Sequence, residues 1–180
     1  MIQYWQRLAP FDQKILLAVQ KWRHPFLNRL FLVLTCSGTG RAWFIFALIM
    51  NSLNFAGIHI LENQPHFLRS MFCPLLAWVS GSVAKKLISR DRPSEAIYGY
   101  SRIIESPTCG SFPSSHAASA VAFYTALQLI DHSLALFVGV WALLVSFSRL
   151  YLGVHYLTDI IGGALLGTVV ALIFWSVGFL

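Results

Sequence analysis

Charge is scarce in this 180-residue chain: 13 Lys and Arg and 7 Asp and Glu leave only 11% of residues charged, against 57% hydrophobic and 14% aromatic. A soluble domain of this length needs more polar surface, and a mean hydropathy of +0.65 puts the chain among integral membrane proteins. Cysteine is scarce as well. Cys36, Cys73 and Cys109 lie scattered without metal-ligand spacing, so neither a disulfide framework nor a zinc site is expected. Internal repeats and low-complexity segments are absent from the sequence. The early apolar run from Ile15 to Val19 is too short for the core of a cleavable signal peptide, so the first true spans are expected to direct insertion. Acidic residues are outnumbered, giving a formal net charge of +6 and a pI near 9.6. Lys and Arg form no stripe of the kind that tracks a nucleic-acid backbone. The expected partners are the bilayer and an anionic lipid or phosphate, not nucleic acid.

What the chain does have is long apolar runs. About 20 apolar residues cross a bilayer, and tilted or shielded helices can be shorter. On that basis residues 42–60, 67–87, 113–130, 133–147 and 156–179 read as spans, and the fold class is an all-α polytopic transmembrane helix bundle of about five spans. Pro74 inside the second span is tolerable in a membrane helix, and Gly162, Gly163 and Gly167 in the last suit close helix approach. Residues 1–40 precede this bundle. From Phe11 to Trp22, Phe11, Ile15, Ala18, Val19 and Trp22 share one helical face while Asp12, Gln13, Lys14, Gln20 and Lys21 lie mostly elsewhere. The pattern predicts an amphipathic helix, ended by Pro25, that lies in the membrane interface or packs on the bundle. Residues 26–35 form a second, partly inserted or tilted helix, broken by Ser37-Gly38-Thr39-Gly40.

Residues 41–180 therefore make one transmembrane domain, with a long polar connection at 89–112. Counting crossings puts both ends of that connection on one membrane face, and the fourth span returns to that face just before the fifth leaves it. Three polar clusters far apart in sequence converge there.

The first cluster is Lys85, six intervening residues, and Arg92-Pro93. A point charge beside a planar fork of donors suits phosphate oxygens. Lys86 and Arg90 read more simply as cations for lipid headgroups. The second is Pro113-Ser114-Ser115-His116, at the start of an apolar helix where capping hydroxyls and free N–H groups favour an anion. The third is Ser148-Arg149, then His155, then Asp159, between two apolar runs where ionisable groups are costly and usually functional. Asp159 lies four residues after His155. On a helix the pair shares a face, which lets the carboxylate fix the imidazole tautomer and frees the other nitrogen to attack. Each cluster also has a structural alternative: a headgroup contact, an ordinary cap, a His–Asp pair joining two helices.

Taken together and in order, the three clusters resemble the signature of the type 2 phosphatidic acid phosphatase family of membrane lipid phosphatases, over roughly the last hundred residues. Ser115 stands where that family usually has glycine, which keeps the backbone donor and narrows backbone freedom. The resemblance implies that His155 is the nucleophile and forms a phosphohistidine, that Asp159 orients it and that His116 protonates the leaving oxygen. It further implies that Lys85, Arg92, Ser114, Ser115 and Arg149 hold the phosphate. No cofactor is expected, and the sequence offers no acidic cluster to suggest a magnesium site. The expected substrate is a lipid phosphate or diphosphate, undecaprenyl diphosphate first, with phosphatidylglycerophosphate, phosphatidic acid and lipid A as rivals. A lipid phosphotransferase would use the same residues, and a non-catalytic binder of anionic lipid would need only the cations. Orientation is contested. The positive-inside rule puts the basic face in the cytoplasm, whereas the resemblance points to the periplasmic face of a bacterial inner membrane.

Overall fold

The computed structural model describes residues 2–58, 64–105 and 110–180, with the side chains of residues 2–6 and Gln64 left aside. Ile60, the end of one expected span, and Cys109, in the polar connection, lie outside the described residues. Among the described residues the regular structure is entirely helical: α1 (Ile2–Gln20), α2 (Pro25–Ser37), α3 (Gly40–Phe55), α4 (Gln64–Ser70), α5 (Phe72–Ile88), α6 (Pro93–Ala96), α7 (Ser115–Leu129), α8 (Ala135–Tyr151) and α9 (Leu157–Ser176).

The bundle is built around α7, which packs against α5, α8 and α9. Ala117, Ala118, Ala120, Ala122 and Ala126 are all fully buried, so this helix presents small apolar surface on every side rather than one stripe. Small residues let backbones close up. A Cβ on Gly163 would collide with the Ser114 carbonyl oxygen, and one on Gly167 with that of Ala118. These α9 glycines therefore set the separation of the α7–α9 crossing. Farther along α7, Phe123 packs edge-on against Trp43 of α3 and Phe67 of α4.

Each expected span coincides with a helix or a pair of helices. By length and composition, α9 and the helical run Pro65–Ala96 suffice to cross a membrane, while α2 and α3 do so only together, bent by 57°. Thr39 caps α3 by accepting from the Ala42 N–H, and Thr39 Oγ1 donates to the Cys36 carbonyl, so the bend is fixed by hydrogen bonds on both sides. The apolar α8 has 17 residues and α7 has 15, or roughly 26 and 22 Å of rise. Apolar helices that bury few of their lipid-side residues, such as Leu143 and Leu165, make this an integral membrane protein.

In α1 the buried stripe is Asp12, Leu16 and Val19, while Phe11 and Trp22, just beyond the helix, are exposed. The helix is thus rotated from the face its hydrophobicity suggests. A carboxylate that periodicity groups with the polar residues points inward, for a reason found at the site.

Candidate active site

Four helix ends meet on one face: the C-termini of α5 and α8 and the N-termini of α7 and α9. Lys85 lies in the last turn of α5 and is buried. The helix stops at Ser89, whose left-handed conformation (φ 46°) turns the chain toward α6. Arg92 is the N-cap of α6, with Pro93 in its first turn and its backbone N–H bonded to Glu95 Oε2 at 3.0 Å. Its guanidinium, 2% exposed, donates to the carbonyls of Val154 (2.9 Å) and Gly110 (3.3 Å). The fork is therefore locked against the α8–α9 connection that carries His155.

Ser114 caps α7, accepting from the Ala117 N–H, and its own N–H donates to the Asp159 carbonyl at 2.9 Å. Ser115 sits in the first turn with its hydroxyl 3.4 Å from that of Ser82. Its backbone is helical, so the residue that replaces the glycine of related signatures meets no conformational penalty. Room for its side chain comes from the neighbouring helix: a Cβ on Gly81 would lie 3.2 Å from Ser115 Cα. His116 follows, near Gly38 in the α2–α3 bend.

Arg149, in the last turn of α8, is buried and donates through Nη1 to Thr35 Oγ1 of α2. The chain turns at Gly153, whose positive φ of 79° favours glycine, and reaches His155 just before α9. Asp159 is the third residue of α9 and accepts from the Tyr156 N–H at 2.9 Å, closing a capping box. Its same oxygen, Oδ2, lies 3.4 Å from His155 Nδ1. His155 Nε2, on the far side of the ring, is buried with no hydrogen-bond partner among the described residues, as is Arg149 Nε.

Charge completes the picture. The buried charged side chains among the described residues are Lys85, Arg90, Arg92 and Arg149 against Asp12 and Asp159. Buried cations thus outnumber buried carboxylates four to two among the described residues, an excess that favours an anion. Lys85, Arg149 and Arg92 all act electrostatically on His155, and the same three act on His116. All eight residues singled out in the sequence therefore gather at one site. Burial holds the His155 imidazole well below its ordinary value of 6.5, and the cations around it push the same way. A neutral ring with a bare Nε2 has a lone pair free for bonding. Among the described residues no three His, Cys, Asp or Glu side chains form a metal-ligating group.

Two members of the site escape sequence reasoning. Arg90, expected among the lipid headgroups, is instead 5% exposed, and its guanidinium bridges Asp159 and Asp12. Asp12 is fully buried although it comes from α1, some 150 residues before Asp159. One faint signal marks it: it is the only acidic residue before Glu62.

The family model described as the PAP2 superfamily matches residues 66–179. The chain is 35% identical over 95 residues to the undecaprenyl-diphosphatase of Sulfolobus acidocaldarius, covering 52% of this chain and 46% of the relative. It is 40% identical over 68 residues to phosphatidylglycerophosphatase B of Bacillus subtilis, covering 32% and 34%. The matched stretches thus span less than half the length of these two relatives. In structure it is similar to a transmembrane PAP2 type phosphatidylglycerolphosphate phosphatase from Bacillus subtilis, with a TM-score of 0.78, 26% identity, and coverage of 96% of this chain and 86% of that one.

Proposed function

Because the chain belongs to the PAP2 superfamily, we propose that it is a membrane lipid phosphatase that works through a phosphohistidine on His155. The observation that carries this is the bare Nε2 of a buried His155 inside a site with two surplus positive charges. A phosphate monoester or terminal diphosphate fills that surplus. Lys85, Arg92 and Arg149, with the Ser114 hydroxyl and the N–H groups of the first turn of α7, hold its oxygens. His155 Nε2 forms a bond to phosphorus as the bond to the lipid oxygen breaks, and protonated His116 gives its proton to that oxygen. Asp159 steadies the imidazolium through Nδ1. Water then attacks phosphorus, His116 takes the proton, and inorganic phosphate leaves. Phosphoryl transfer of this kind needs positioning and charge neutralisation more than covalent help, and the cations supply both without a metal.

A lipid substrate follows from the surroundings. An apolar cleft of about 330 Å³ between α3, α7 and α8, lined by Ala42, Trp43, Phe46, Phe123 and Trp141, begins at Ser37 next to the α2–α3 bend. A Cβ added at Gly38 of that bend would lie 3.3 Å from the His116 ring, so a lipid tail in the cleft would leave its headgroup near the site. Undecaprenyl diphosphate is the first candidate, followed by phosphatidylglycerophosphate, phosphatidic acid and lipid A. The site faces the periplasm of a bacterial inner membrane in this proposal.

Phosphate release by the purified protein from a panel of these lipids tests it, with His155→Ala as control and a chelator in a parallel arm. The expected result is release that survives chelation and is lost in the variant. Equal release by wild type and His155→Ala would remove the mechanism, and transfer of phosphate to an added lipid instead of water would make the protein a phosphotransferase.

A further inference from the structure

Asp159 has a second oxygen that the reaction above does not use. Oδ1 accepts from Arg90 Nη1, whose Nη2 donates to Asp12 Oδ2 at 2.7 Å. Asp12 in turn accepts from the Thr158 N–H at 3.1 Å and from the Thr158 hydroxyl, and Arg90 Nη1 also donates to that hydroxyl at 2.8 Å. The Arg90 guanidinium lies over the Tyr156 ring, 4.3 Å from its centre. Asp12 and Asp159 are fully buried and Arg90 nearly so, so the charged groups of this network are shielded from water, with Thr158 half-buried at its edge. Every group in it but Asp12 and Arg90 comes from the first turn of α9 or its cap, the turn that aims His155.

We propose that Asp12 is a positioning residue for the phosphoryl transfer, acting on His155 through Arg90 and Asp159. The inference rests on the phosphatase function proposed above. It also brings α1, which lies outside the family-matched residues 66–179, into the working site. The physical reason is a division of charge. Arg90 paired with Asp159 alone would draw the carboxylate's negative charge away from the imidazole. Asp12 takes half of the fork, which leaves Asp159 able to stabilise the imidazolium formed when Nε2 attacks. The bonds to Thr158 also fix the start of α9, and with it the His155–Asp159 geometry.

The decisive experiment compares wild type, Asp12→Asn, Arg90→Lys and His155→Ala, purified in detergent. Dioctanoyl phosphatidic acid and farnesyl diphosphate serve as substrates, and rates are normalised to monodisperse protein. Asp12→Asn keeps shape and removes charge; it is expected to lower kcat about tenfold or more with KM within about twofold, because the orienting carboxylate acts on the chemical step. Arg90→Lys keeps the charge but cannot bridge two carboxylates, and it is expected to lower kcat likewise. It supplies the answer should Asp12→Asn not fold. A merely structural clamp would reduce the yield of folded protein and leave its kcat and KM unchanged, which would overturn the inference. Wild type that releases phosphate in a His155-dependent way, with unaltered kcat in Asp12→Asn or Arg90→Lys, sinks this inference alone. Wild type without His155-dependent release sinks the phosphatase proposal and this inference with it.

Discussion

An imidazole attacks phosphorus only while it is neutral, and the surroundings of His155 keep it so. Burial disfavours the cation, and Lys85, Arg149 and Arg92 add repulsion, so protonation of the free enzyme is deferred to well below pH 6.5. The sign is definite. As pH falls from neutrality, kcat/KM should hold through 6.5 and decline only once the depressed His155 value is reached. In the complex, where the bound phosphate offsets the cations around His116, kcat should fall at the alkaline end as that histidine loses the proton it gives the leaving oxygen. A pH series with chemistry rate-limiting checks this, and an acid limb at or above 6.5 would show His155 is not the base form required. At this scale most of the site is legible in sequence. Lys85, Arg92, His155 and Asp159 keep fixed spacings because each pair straddles one helix end, and spacing survives in a sequence. Asp12 and Arg90 are illegible for the opposite reason: their partner lies on another helix, and an isolated acid on an amphipathic helix looks solvated.

Between elements, what matters is how near α9 comes to α7. The Ser114 N–H donates to the Asp159 carbonyl across that gap, which ties the cap of α7 to the residue proposed to orient His155. The gap exists because Gly163 and Gly167 have no side chain to hold it open. Gly163→Ala would push a methyl group into the Ser114 carbonyl, a backbone atom that cannot swing away. It is expected to cost about 1–3 kcal/mol of stability by overpacking, seen as a lower thermal midpoint in detergent, and to reduce phosphate release by displacing Ser114. Gly162→Ala is the informative contrast. Its new methyl would meet the edge of the Phe112 ring, side-chain rather than backbone atoms, so the loss should be smaller. Sequence shows these glycines but not which of them touch backbone. The crossing partner is set by three-dimensional packing, as are the rotation of α1 and the cap that bends α2 from α3.

For the whole molecule the governing quantity is the charge left over in the folded bundle. Among the described residues four buried cations face two buried carboxylates. The folded state therefore carries a cost that a bound oxyanion removes, and the unfolded chain, with its charges in water, does not share that cost. Ligand linkage follows. An anion that binds only the native state stabilises it by about 2.7 kcal/mol at a concentration one hundred times its Kd. Vanadate resembles phosphate in charge and can take five oxygen or nitrogen neighbours around the metal, so it should occupy the cage with His155 Nε2 at one apex. Titrating vanadate into the purified protein should raise the thermal midpoint and abolish phosphate release over the same concentration range. Arg149→Gln removes one of the surplus charges, so its midpoint should respond far less. His155→Ala keeps every cation but loses the apical nitrogen, and it should retain part of the shift while losing all turnover. A vanadate shift equal in wild type and Arg149→Gln would mean that the anion binds elsewhere on the basic face, and that the surplus buried charge does not define the substrate.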